Sequence, residues 1–291
     1  MIDKELRKKM EQIRVLTRKK ITASFAGDYL SAFKGRGMEF EEVRPYQPGD
    51  DVRFLDWNVT ARSGEPWIKL FREERELTMF LMVDLSPSGK FSSGEKTKNE
   101  MAAELCAILA FTAISNNDRV GLSIFTDQVE KVIHPGKGSR HVLHLIREVL
   151  SHKPEGKGTS LKQALEYSGS ILKRGSIIIL ISDFMDEDYE NALGYMGEKH
   201  DLVCIQLQDK RELTPPRKGL FLLRDAETGE KRYLDFSDRT TKAEWVRKGR
   251  ERQSNLLKLM RKSRADLISL DPEDDWLTPL TRFFIARGKR L

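Results

Sequence analysis

Apolar residues along this chain fall into short, nearly unbroken runs, separated by longer stretches with a helical rhythm. The runs lie at 78–84 ("TMFLMVD"), 120–125 ("VGLSIF"), 176–182 ("SIIILIS"), 202–207 (within "DLVCIQL") and 266–270 ("DLISL"). Runs that lack polar alternation suit strands buried on both faces of a parallel sheet. Between them, residues 97–115 carry Met101, Leu105, Ile108, Leu109 and Thr112 at helical spacing. Residues 139–150, 160–172, 188–199 and 241–263 repeat that rhythm. Such alternation predicts an α/β fold, a doubly wound and mostly parallel sheet. The stretch 118–135, "DRVGLSIFTDQVEKVIHP", reads as a hairpin, so one edge strand is antiparallel.

Two segments depart from the pattern. Within 213–237, "GLFLLRDAETGEKRYLDF" reads as two extended runs around the turn "DAETGE", a β-hairpin inserted before a long basic helix. Residues 1–75 form an N-terminal extension, and the α/β domain occupies 76–291. The extension opens with a basic helix and continues into a stretch rich in turn residues, charges and aromatics. Arg44, Arg53 and Arg62, paired with Asp50, Asp51 and Asp56, are expected to brace it against the domain. Phe54 and Trp57 beside them are expected to seek burial. A last helix begins near Leu277, with Thr278 as its cap and Pro279 in its first turn.

Composition narrows the class. The 291 residues are 39% hydrophobic and 33% charged, enough for one large core. Mean hydropathy is -0.52, and no apolar run is long enough to span a bilayer. The N-terminus lacks the apolar core of a secretory signal, so a cytoplasmic protein is expected. Cys106 and Cys204 lie in apolar segments and read as reduced core residues. The formal charge is +6, with eight Lys/Arg against three Asp/Glu in residues 1–20 and ten against two in 239–264. Basic helices of that kind can meet nucleic acid, an anionic surface or an acidic protein, or simply face solvent.

The candidate chemistry lies at the strand ends. Asp84 ends the first long run and is followed by Ser86 and Ser88; Asp183 ends "IIILISDF"; Thr159 opens a helix in "GKGTSLKQAL". Loops at the carboxyl ends of parallel strands carry the ligand sites of this fold class, so topology can gather all five. Two carboxylates and three hydroxyls are hard oxygen ligands, suited to Mg²⁺ or Mn²⁺ over zinc. They leave ionic charge unneutralised and a coordination position for a partner's carboxylate. Taken singly, each residue also fits a helix cap or a turn.

Other chemistries lack their parts. A haloacid-dehalogenase phosphatase needs a second Asp two residues after the first, where Ser86 stands. No G-x-S-x-G elbow is present. "PEGKGTS" has Gly158 where a P-loop needs Ser or Thr. His134, His141, His144 and His152 have no acid or Cys at zinc spacing and read as surface residues. A metal-dependent hydrolase therefore stands only as an alternative, as does a binder of nucleic acid or anionic surfaces through the basic helices.

"DLSPS", "GTSL" and "ISD" resemble the metal-ion-dependent adhesion site of a von Willebrand factor A domain. The longer stretch from Gly35, "GRGMEFEEVRPYQPGDDVRFLDWNVTARSGEPWIKLFREERELTMFLMVDLS", resembles the bacterial domain-of-unknown-function fifty-eight family, which carries such a domain. That resemblance covers nearly the whole chain and is closest from about Gly35 to Thr126. It implies a non-enzymatic interaction module, a partner of a MoxR-type AAA+ ATPase or of its client. It further implies Ser86, Ser88 and Thr159 as hydroxyl ligands, with Asp84 and Asp183 binding Mg²⁺ directly or through water. Pro87 and Gly89 depart from the small residues and Met common in the family. Many members carry membrane helices before this region, and none is expected here.

Overall fold

The computed structural model describes residues 8, 10–13, 15, 17, 23–33, 38–73 and 76–290. The basic helix expected at the N-terminus lies largely outside the described residues.

Six strands form the central sheet: β3 (Thr78–Asp84), β4 (Arg119–Phe125), β5 (Val129–Gly136), β6 (Ile177–Ser182), β7 (Asp201–Leu207) and β10 (Asp266–Leu270). Their order is β10-β7-β6-β3-β4-β5. All neighbours are parallel except the edge pair β4–β5, which is antiparallel. Each apolar run of the sequence is thus a strand, and the hairpin supplies the antiparallel edge.

Alternation within β3 divides the core. Met79, Leu81 and Val83 face one layer, with α1 (Ala23–Phe33), α3 (Lys98–Ser115), α4 (Ser139–Ser151) and α9 (Leu277–Gly288). Phe80 and Met82 face the other, with α5 (Leu161–Ile171), α6 (Glu190–Lys199) and one face of α8 (Arg239–Lys262), which follows the single-turn α7 (Lys210–Leu213) in the chain. A strand with both faces covered needs an unbroken apolar run, because successive side chains point to opposite sides. Gly121 of β4 leaves room for the Phe80 ring, whose nearest atom would lie 2.6 Å from a Cβ there. Both cysteines are buried within this core and unbridged, as the sequence suggested. Burial pushes the Cys106 thiol up to about 12.

The N-terminal helix α1 belongs to the first layer. Phe25, Tyr29 and Phe33 pack edge-on against Phe284 of α9, and Tyr29 and Phe33 pack tilted against each other. Arg287 of α9 donates to the Ala32 carbonyl at 3.0 Å and pairs with Asp201 and Asp266 at the starts of β7 and β10. Thr278 is not the cap of α9. Trp276 holds that position, while Thr278 sits inside the first turn and donates to Asp275 at 2.5 Å.

Two small antiparallel pairs stand apart from the main sheet. β1 (Met38–Pro45) pairs with β2 (Trp67–Glu73) around a 3-10 turn and the short helix α2 (Trp57–Ser63). The expected bracing pairs close locally instead. Arg44 grips Asp50 at 2.7 and 2.8 Å, Arg53 grips Asp51 at 2.6 Å, and Asp56 caps α2 while pairing with Lys69. Trp57 is 70% exposed, contrary to the burial expected of it. It is the first residue of α2, so the Asp56 cap fixes its backbone and the ring projects outward. The second pair is β8 (Leu220–Arg224) with β9 (Lys231–Asp235), the hairpin read from the sequence. Its base is an aromatic chain, Phe221 to Phe236 to Trp245 of α8.

Candidate functional site

The strand order reverses direction between β3 and β6. Sequence-consecutive β3 and β4 lie on one side, and β6 enters on the other. That crevice is where open α/β sheets bind ligands. Asp84 ends β3 and Ser182–Asp183 ends β6, so the crevice brings together residues 98 apart in sequence. Ser182 Oγ donates to Asp84 Oδ2 at 2.6 Å, and the other Asp84 oxygen accepts from the Ser86 N–H at 2.9 Å.

Beyond Asp84 the chain turns through a 3-10 segment, Pro87–Lys90, with Ser86 at its cap position and Pro at its start. Proline's fixed φ suits that first turn. The turn sets Ser86 Oγ and Ser88 Oγ 3.0 Å apart. Ser86 is buried and Ser88 half-buried. After Asp183, Phe184 takes a φ of 57°, a left-handed conformation rare for a bulky residue. Its N–H donates to Ser182 Oγ, and Met185 N–H donates to Asp183 Oδ1.

Thr159 lies one residue before the cap of its helix. Ser160, not Thr159, caps α5, accepting from Gln163 N–H. The loop is tied on both sides: Ser160 N–H donates to the Thr126 carbonyl after β4, and Leu161 N–H to Asp186 after β6. Thr159 Oγ1 is left free of capping and donates at 2.5 Å to Glu227, in the turn of the β8–β9 hairpin. Glu227 in turn feels the charge of Asp183. Burial first, then Asp183, Asp225 and Asp186, raise its carboxyl above the ordinary range against the Thr159 hydrogen bond. So the Ser86 N–H joins Asp84 and the Ser86 hydroxyl joins Ser88, Asp183 is an electrostatic neighbour of Asp84, and Thr159 bonds Glu227, on which the Asp183 charge acts.

Two groups that the sequence reading passed over, Lys98 and Glu212, adjoin Asp183. Lys98, in the first turn of α3, is buried, and its ammonium donates to Asp183 Oδ2 at 3.1 Å and to Glu212. Burial opposes its charge, but Asp183 and Glu212 outweigh burial and raise its pKa. Burial also raises the Glu212 carboxyl, against the Lys98 ammonium. Asp84 is pushed up to about 7, by burial first and by Asp183 second, while Ser182 and Ser86 oppose the shift. Burial and the neighbouring Asp183 charge disfavour the ionised form of Asp84, so positive charge added beside it would be favoured.

Among the described residues, no three His, Cys, Asp or Glu are placed to hold a metal ion. The candidate set has only two such groups and relies on hydroxyls for the rest. Its donor chemistry fits a hard divalent cation: paired serine oxygens beside two carboxylates, with no soft ligand. His152 is engaged elsewhere, at 2.5 Å from Glu130, and His141 bonds the Val120 carbonyl. On a separate face, Arg239, Lys242, Val246, Arg247, Arg250 and Glu251 of α8 line a shallow hollow of about 650 Å³, in which Glu251 pairs with Arg247 at 2.7 Å.

The fold thus defines the class: a mixed α/β chain built on a mostly parallel, doubly wound sheet, with a carboxylate and hydroxyl cluster at its switch point. The chain belongs to the family described as "Protein of unknown function DUF58", whose model matches residues 42–255. It is 28% identical over 290 residues to the uncharacterized protein Rv1480 of Mycobacterium tuberculosis (strain H37Rv), covering 99% of this chain and 91% of the relative. Among solved structures, an aerotolerance-related membrane protein from Bacteroides fragilis aligns with a TM-score of 0.52 at 13% identity, over 74% of this chain and all of that one. The VWA domain of SpRpn10 aligns with a TM-score of 0.40 at 12% identity, over 72% of this chain and 94% of that domain. Among the described residues, no helix is long and apolar enough to cross a membrane.

Proposed function

We propose that this protein is a non-enzymatic, metal-dependent interaction module that docks a partner through the partner's carboxylate. Ser86, Ser88 and Thr159 would hold Mg²⁺ or Mn²⁺, with Asp84 and Asp183 acting directly or through water. The ion would supply a Lewis-acidic position for the incoming carboxylate. One observation carries the reading: Asp84 and Asp183 stand at the tips of adjacent strands, beside two serine hydroxyls 3.0 Å apart. Lys98 supports it by holding Asp183 in place. The Ser182 hydroxyl does the same for Asp84. The proposed setting is the cytoplasm, and the proposed partner is a MoxR-type AAA+ ATPase or its client.

The test is capture of partners on the immobilised full chain, with Mg²⁺ or with EDTA, alongside Asp84→Ala. An AAA+ ATPase retained only with Mg²⁺ and only by the intact chain is the expected result. Retention indifferent to both treatments would move the docking face elsewhere. The cationic hollow on α8 favours a second reading, an anionic partner. Binding of that kind would weaken steeply with salt.

A further inference from the structure

The long helix α8 has one buried face and one open flank. Leu256 and Met260 sink into the core, and Gly249 lies against α7. One side of the helix turns toward the middle of the molecule: Arg252 reaches Met185, just beyond β6, at 3.1 Å, and Trp245 donates to the Arg211 carbonyl. On the other side Gln253 donates to Ser269 of β10, the edge strand. Val246 precedes Gln253 by seven residues and Leu257 follows it by four, so both stand on that outer side. Arg239, Ala243, Val246, Arg250, Ser254 and Leu257 recur at intervals of four and three, a single stripe along the flank. No strand lies beyond β10 among the described residues, and the hollow on this stripe is lined by α8 alone. Arg239 and Arg250 are exposed and have no acid partner among the described residues. Glu251, the sole acid lining the hollow, is taken by Arg247.

We propose that this flank of α8 is a docking groove for an acidic amphipathic helix of a partner protein. The inference rests on the second reading above, an anionic partner, and does not involve the metal site. The walls supply the charge complementarity: the unpaired guanidinium groups of Arg239 and Arg250 face the Asp or Glu side chains of the incoming helix. The floor selects the class of partner. Ala243 and Ser254 are small, so a facing helix comes close, and Val246 and Leu257, the latter 42% exposed, offer apolar contact. Spacing by four and three is the repeat that two packed helices share, with charges at the margins choosing the partner. The helix has 24 residues, about 36 Å, so the stripe seats about five turns of a second helix. Nucleic acid would use the cations and leave the apolar floor unmatched. A lipid surface is entered by large apolar side chains, whereas this floor is recessed and carries small ones.

The probe is a fluorescein-labelled helical peptide with leucine at its heptad a and d positions and glutamate beside them. Its binding to the full chain is read by fluorescence anisotropy, next to a peptide with serine in place of leucine, single-stranded DNA and phosphatidylglycerol vesicles. The parent should bind the leucine peptide, and the serine peptide about 10-fold more weakly, because the apolar contact is gone. Arg239→Ser combined with Arg250→Ser should weaken the leucine peptide about 5-fold, the effect of two exposed ion pairs. Ala243→Glu, at an exposed position, should weaken it too by setting an acid in the floor. If the serine peptide and DNA bind as tightly as the leucine peptide, the anionic reading stands and the helix groove falls. Binding of the vesicles without binding of the leucine peptide overturns the groove likewise. If no anionic probe binds, or the arginine variant binds every probe as the parent does, both the anionic reading and this inference fall.

Discussion

Lys98 places one ammonium between Asp183 and Glu212, and all three are shielded from water. A buried carboxylate that loses its partner keeps the desolvation cost and loses the attraction that offset it. Lys98→Ala should therefore cost about 3–5 kcal/mol of stability, measured by urea unfolding. Adding Glu212→Gln to that variant should recover part of the loss, because one orphaned charge is then removed. None of this was visible in "KTKNE", where Lys98 reads as an ordinary charge at a helix start. The Thr97–Glu100 capping box was encoded locally, and the structure contains it. The ion pair was not, since Asp183 is 85 residues away. Asp84, Ser86, Ser88 and Asp183 could be singled out because strand ends are marked by where apolar runs stop. Ser182 closes such a run and was counted with it, although its hydroxyl is what joins the two strand tips.

At the scale of elements, the β8–β9 arm is attached through Phe236, which contacts both Phe221 and Trp245. Phe236 is buried while much of the arm is exposed. Phe236→Ala should loosen the arm as a unit. Amides of 220–235 should exchange with solvent faster, while those of β3 and β6 keep their protection. Equal acceleration in both regions would mean that the arm is integral to the core. The arm was legible because a turn-rich hexapeptide separates two extended runs, a purely local signal. Its destination was not, for the contact of Glu227 with Thr159 is a matter of tertiary reach. The β1–β2 segment shows the converse. Its charges were correctly seen as pairing, but opposite charges a few residues apart satisfy each other before they reach another element. Arg44 with Asp50 and Arg53 with Asp51 did so.

Across the whole molecule, a buried polar link joins α1 to the segment just before β4. Tyr29 donates its hydroxyl to Asp118 Oδ2 at 3.0 Å, and Leu77 N–H donates to Oδ1. Burial pushes the Asp118 carboxyl up to about 6, with Glu76 assisting and the two hydrogen bonds and Lys137 opposing. The folded state thus binds this proton more tightly than the unfolded chain, whose Asp titrates near 3.9. The stability from that proton is complete below about pH 4 and is lost as pH rises through about 6. Asp118→Asn should remove this component, so that the difference in melting temperature between the two proteins changes between those pH values and is flat above them. A difference independent of pH would assign the effect to hydrogen bonding alone. The α/β class itself was open to reading at this scale, since five apolar runs and the helices between them allow few other arrangements. The place of α1 was not, because its aromatics find their partner almost the full length of the chain away.

That last contact has a bearing on how the protein is made. During synthesis, Phe25, Tyr29 and Phe33 leave the ribosome long before Phe284 exists. The strands and their covering helices can assemble in the interval, but the first layer stays open until α9 emerges. Until then an aromatic face waits uncovered on the nascent chain, so the step that seals this layer waits for the synthesis of α9.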